Sequence, residues 1–162
     1  MKGSNSKRTH EEELTVAIVD ASSGAPSSSA GLVWPSFYPD QCPPAEATPA
    51  QGVVLRLVRN DPACEEDFLA WSVEHGLSTS KPCQSCGVSV FDKLDDVRRM
   101  QRRVPSQRRK AVAQGQLTPE MGVVMPTPGR ERSHRTWWIP SGVEPAGAFR
   151  VVGASSFQSG EA

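Results

Sequence analysis

The run GVVLRLVRNDPACEEDFLAWSVEHG, residues 52–76, carries the weight of the fold assignment. Its first half is rich in Val and Leu, with Arg56 and Arg59 interrupting the apolar residues and Asn60, Asp61 and Pro62 closing the run. Branched side chains pack well on a pleated surface, so a strand is expected over 52–59. In the second half Asp61 suits an N-cap and Pro62 the first helical position. Glu65, Glu66 and Asp67 fill the first turns, where carboxylates complement the helix dipole, and Gly76 follows the last turn. Phe68, Trp71, Ser72 and His75 recur at helical spacing, which predicts a helix over 62–75. A strand that feeds a helix points to a mixed domain.

Further along the chain the same two periods alternate. GVSVF, residues 87–91, alternates like a short strand. Asp92, with Asp95 three residues on, opens a second helix whose stripe is Leu94, Val97, Met100 and Val104 and which Pro105 ends. Ser106 caps a third helix reaching to about residue 114, closed by Gly115, and Thr118 with Pro119 starts one turn before the apolar residues 123–125. Residues 133–140 and 148–152 read as two more strands. The expectation is an α+β fold, one small domain of about five short strands and two or three helices. Residues 1–31, with a charged start and a Ser, Gly and Ala run, are expected to form a flexible tail, and 153–162 a frayed end. Between them 32–152 form the domain, opened by a proline-rich strap over 32–51 that carries Trp34, Phe37 and Tyr38.

Composition narrows the class. A chain of 162 residues and 17.5 kDa is one ordinary domain. Leu, Ile, Val and Phe number 32, which is close to the lower limit for building a core, while zero net charge opposes wholesale disorder. No apolar run approaches the roughly 20 residues that span a bilayer, and none near the N-terminus suits a signal peptide. Four cysteines are too few and too unevenly spaced for a secreted disulfide framework, so a cytoplasmic protein without a membrane partner is expected. GxxxxGK[ST], GxGxxG, GxSxG and HExxH do not occur.

The zero net charge conceals a separation along the chain. Residues 1–97 hold seven Lys and Arg against fourteen Asp and Glu, whereas 98–162 hold eleven against four. Most of the excess lies in Arg98, Arg99, Arg102, Arg103, Arg108, Arg109 and Lys110, on and just after the second helix. An Arg fork bridges two phosphate oxygens, so this face suits nucleic acid, or else an acidic protein partner. Arg135 and the adjacent tryptophans extend that reading, with Trp138 available to stack on a base. The preferred function is therefore a small nucleic-acid-binding module, with a docking protein lacking catalysis as an alternative.

Cys83 and Cys86 form a C-x-x-C followed by Gly87, a half-site for zinc, and Cys42 and Cys64 are the candidates to complete it. His134 is the best general base in the chain, since His75 ends a helix and His10 lies in the tail. Arg56 on a strand, the loop Ser78, Thr79 and Ser80, and a downstream carboxylate such as Glu120, Glu131 or Glu144 resemble the arrangement of ADP-ribosyltransferases. That resemblance implies a small enzyme in which Arg56 holds the NAD phosphates and the Glu orients the acceptor.

Overall fold

The computed structural model describes residues 31–76 and 82–153. The Val-rich run becomes strand β2 (Gly52–Val58), and its partner along the whole length is β4 (Ala111–Leu117), paired antiparallel from Gly52↔Leu117 to Val58↔Ala111. On its other side β2 meets β3 (Val88–Phe91) only at Leu55↔Phe91. Strands β1 (Thr48–Pro49), β5 (Val123–Pro126), β6 (His134–Trp138) and β7 (Phe149–Val151) complete one seven-stranded sheet. Its order is β1-β5-β6-β3-β2-β4-β7, and every pairing is antiparallel. Among the described residues, helical structure amounts to one ten-residue helix, α2 (Leu94–Arg103), the single turn α1 (Trp71–Glu74), and short 3₁₀ turns.

The expected α+β domain is thus corrected to a sheet-dominated fold with one substantial helix. Two local reasons account for the difference. The helix expected over 62–75 is broken because Arg56 Nε donates to the Asp67 carbonyl at 2.7 Å, the oxygen that a continuous helix would offer to the Trp71 N–H. Leu69 is accordingly extended, leaving a 3₁₀ turn at Glu65–Phe68 ahead of α1. The third helix shrinks to the turn Pro105–Gln107, and the residues after it form β4. Gly115 is a sheet residue under the Phe149 ring, where an added Cβ would meet ring atoms at 2.6 Å. The two expected tails fall almost wholly outside the described residues.

Pleating divides the buried residues between the two faces. One face carries Val54, Val58, Val88, Val90, Ala113, Leu117, Val124 and Trp137, covered by Phe68 and Phe149. Phe68 meets Trp137 edge-on at 6.3 Å between ring centres and Phe149 at 4.8 Å. The opposite face carries two separate clusters. At one end Leu55, Leu57 and Phe91 pack under Val97 of α2, with Leu94 and Met100 beside it. At the other end Trp138, Val123, Cys42 and Cys86 pack under Trp34 and Tyr38 of the strap. Between the clusters the register places Ser89 opposite Thr136 and Phe91 opposite His134, a polar strip in which Ser89 is exposed, His134 half-buried and Thr136 buried.

Candidate functional site

That polar strip is the floor of a cleft of about 690 Å³. Ser89, His134 and Thr136 form the floor, α1 and the Pro82–Ser85 segment form one wall, and Met100, Val104 and Gln107 form the other. Trp71 stands in the first wall, half exposed, with its ring stacked on His75 at 4.6 Å. Leu57, Leu69, Val88 and Phe91 make the interior largely apolar.

Three cations line this space: Arg56, Arg59 and Lys110. Among the described residues the only carboxylate lining it is Glu74, which pairs with Arg59. Arg56 reaches the cleft where β2 and β3 part beyond Leu55↔Phe91. Its Nη1 donates to the Ser89 carbonyl at 2.7 Å, and its fork lies 5.5 Å from the Phe68 ring centre. The bond to Ser89 and the one to Asp67 use two of the five guanidinium donors. Burial pulls the Arg56 pKa down to about 10, a shift Asp67 opposes and Arg59 reinforces, and the group stays charged at neutral pH. Lys110 is lowered as well, first by burial and then by the charges of Arg59 and Arg56, so the three cations act on one another. Asp67 supports them from behind. Burial alone would raise its carboxyl, but N–H donation from Arg59 at 2.6 Å and Cys64 at 3.1 Å, with Asn60 at 3.2 Å, outweighs this and holds it low.

On the floor, His134 is tied at both ring nitrogens. Nε2 lies 2.9 Å from Ser89 Oγ, and Nδ1 lies 2.9 Å from the Thr127 carbonyl and 3.0 Å from Thr127 Oγ1. Thr127 Oγ1 in turn meets Thr136 Oγ1 at 2.8 Å.

Of the residues singled out by sequence, Arg56, His134 and Lys110 meet in this cleft. Glu144 is exposed at the start of a 3₁₀ turn and does not line it, nor do Glu120 and Glu131. Ser78, Thr79 and Ser80 lie outside the described residues. The arginine-rich segment is partly occupied with internal contacts. Arg103 grips buried Glu131 with two bonds of 2.9 Å, Arg99 pairs with Asp96, Arg135 reaches Asp92 at 3.4 Å, and Arg108 Nε donates to the Arg102 carbonyl at 3.2 Å. Arg102 and Arg109 are exposed on its surface. Trp138 is fully buried and donates from Nε1 to the Cys83 carbonyl at 2.9 Å, so its ring offers no face for a base. These placements supply no feature specific to nucleic acid.

The zinc expectation is overturned. Cys42 and Cys83 are joined in a disulfide, which removes both thiolates. Cys86 is buried 4.0 Å from Ser72 Oγ, and Cys64 sits beside Asn60 and Asp67 at the 3₁₀ turn. Among the described residues no group of three or more His, Cys, Asp or Glu is placed to hold a metal ion. The disulfide also removes the argument from cysteine count for a cytoplasmic setting. No helix among the described residues is long and apolar enough to cross a membrane.

Ser89 and Thr127 escaped sequence reasoning because hydroxyl residues carry no local signal. Only the cross-strand register brings Ser89 to His134. Compared with known protein families, with curated proteins and with solved structures, the chain matches none of them.

Proposed function

We propose that the cleft binds a small phosphate-bearing ligand with an aromatic ring, a compound of the nucleotide class. The observation that carries this reading is the set Arg56, Arg59 and Lys110 around one pocket against the single carboxylate of Glu74 among the described residues. Mutual repulsion of the half-buried Arg56 and Lys110 and the exposed Arg59 is relieved by an anion, and forked guanidinium groups match phosphate oxygens. Trp71 and His75 supply an exposed ring stack on which a base can lie. A volume of about 690 Å³ falls within the range of small-molecule sites. The Cys42–Cys83 disulfide favours an oxidising setting over the cytoplasm.

Isothermal titration of the full chain with ADP and NAD tests the proposal. Binding is expected for at least one of them, weakened about tenfold in Arg59→Gln and in Lys110→Gln, since one charge-assisted hydrogen bond is worth about 1.5 kcal/mol or more. Adenosine, lacking phosphate, is expected to bind more weakly than ADP. Absence of heat with both nucleotides, or uptake of an RNA oligonucleotide that is lost in Arg102→Gln/Arg109→Gln while Lys110→Gln leaves it unchanged, contradicts the cleft reading.

A further inference from the structure

Ser89 is an exposed hydroxyl on the cleft floor, and among the described residues its hydroxyl meets the imidazole of His134 at 2.9 Å. The Thr127 carbonyl, 2.9 Å from Nδ1, can only accept, so the hydrogen-bond network assigns the ring hydrogen to Nδ1. In that tautomer Nε2 presents a lone pair to the Ser89 hydroxyl. The imidazole is held in place by Phe91, packing edge-on at 5.1 Å, and by Thr127, whose hydroxyl is anchored on that of Thr136 at 2.8 Å. Arg56 donates to the main-chain carbonyl of the same serine at 2.7 Å and lines the same cleft, which holds this stretch of β3 in place. A nucleophile hydrogen-bonded to a base, and a third group orienting that base, are the central parts of a serine acyl-transfer site.

We infer that Ser89 is a catalytic nucleophile activated by His134, acting on a carboxylic ester or thioester whose leaving half carries phosphate. The inference deepens the nucleotide reading and rests on the same cleft. Leu57, Phe91, Met100 and Val104 offer an apolar seat for the acyl chain, while Arg59 and Lys110 face the anionic half. Ser89 Oγ forms a bond to the carbonyl carbon as its proton passes to His134 Nε2. The tetrahedral intermediate collapses, the bond from carbon to the leaving oxygen or sulfur breaks, and His134 returns the proton to that atom. A water then attacks the Ser89 ester and gives a proton to Nε2. The carboxylic acid departs, and Oγ recovers the proton from the imidazole. The step needs no oxidant, reductant or metal.

A fluorophosphonate probe, which phosphonylates activated serines, tests the assignment in the full chain, with the modified peptide identified by mass spectrometry. One adduct on Ser89 is expected, absent in Ser89→Ala and formed about 100-fold more slowly in His134→Gln, the scale of general-base assistance. Melting temperatures of both variants verify folding, and His134→Asn serves if the glutamine variant does not fold. ADP is expected to slow the labelling, and p-nitrophenyl butyrate to be hydrolysed by the wild type but not by Ser89→Ala. No adduct on Ser89, or an adduct that forms as fast in both His134 variants, overturns the nucleophile assignment. If the adduct is missing while ADP still binds, the dyad fails and the binding cleft stands. If Ser89 is labelled but ADP neither binds nor protects, the nucleotide reading fails instead, and with it the phosphate-bearing leaving group.

Discussion

Arg56 shows how much one side chain decides. A charged group on a strand of an otherwise apolar run would ordinarily be left at the surface, since desolvating it is costly without partners. Here its partners are two main-chain carbonyls, those of Asp67 and Ser89, and the face of the Phe68 ring. The guanidinium fills the gap where β2 and β3 part and substitutes side-chain donors for missing ladder bonds. Its planar fork is what permits this, because a lysine ammonium cannot reach both carbonyls in one geometry. Replacing Arg56 with Met keeps the apolar stem but leaves the partly buried Asp67 carbonyl and the more exposed Ser89 carbonyl without a charged donor. At about 1.5 kcal/mol or more for each bond, a loss of about 3 kcal/mol is expected. Urea denaturation should show the midpoint falling in Arg56→Met and falling less in Arg56→Lys; equal midpoints in all three proteins would show that the carbonyls find other donors.

At the scale of elements, α2 is docked through its first turn. Asp96, nearly fully buried, accepts the Ser133 N–H at 2.8 Å and pairs with Arg99, while Lys93 N–H donates to Ser133 Oγ at 3.1 Å and Asp92 N–H to the Ser133 carbonyl at 3.2 Å. The residue after Ser133 is His134, so this docking also sets the start of β6. Ser133 donation first, and Arg99 after it, holds the Asp96 carboxyl below its ordinary value although burial opposes them. Asp67 is held low in the same direction. The unfolded chain therefore binds these protons more readily than the folded one. The stabilisation is complete above the unfolded carboxylate value near 4 and is lost as pH falls through the lower folded value. Thermal melts are expected to decline below about pH 4, and Asp96→Asn should flatten that decline while costing about 1–3 kcal/mol at neutral pH. A variant with the wild-type acid limb would show that Asp96 is not what α2 depends on.

The elements also show what could be read without coordinates. The α2 stripe of Leu94, Val97, Met100 and Val104 was legible because bulky apolar residues recur over a whole helix with Pro105 behind it. β4 was not. Two of its inward residues, Ala113 and Gly115, are too small to mark a strand, and Gly115 is small because Phe149 from β7 lies over it, a contact 34 residues away in sequence. The segment 62–75 has every local mark of a helix, and Arg56 defeats those marks from a different strand by taking the Asp67 carbonyl. Of the cleft, the residue types with strong chemistry, Arg56, His134 and Lys110, could be singled out in sequence. Their meeting place could not be, since it depends on the parity of β3 against β6 and on two clusters that leave the middle of one sheet face open.

For the molecule as a whole, that open strip exists because the strap covers one end of the sheet face and α2 the other. The strap is held there by Trp138 packed beneath Trp34 and Tyr38, by Tyr38 donating to the Ile139 carbonyl at 3.3 Å, and by the Cys42–Cys83 disulfide. The disulfide joins the strap to the turn Cys83–Cys86, whose Gln84 and Ser85 line the cleft wall. A crosslink spanning 41 residues restricts the unfolded chain, and in the chain-entropy account it contributes about 4 kcal/mol. Reduction should therefore lower the melting temperature by on the order of 10–20 °C. Cys42→Ala should reproduce that loss without reductant and should be indifferent to reductant afterwards, which separates the crosslink from general effects of thiols. Because Cys83 also carries the carbonyl that accepts from Trp138, freeing it loosens the wall as well as the strap. ADP affinity in the cleft should then fall on reduction at temperatures where the domain is still folded. Unchanged melting on reduction would mean that the packing of Trp34, Tyr38 and Trp138 holds the strap without a covalent bond.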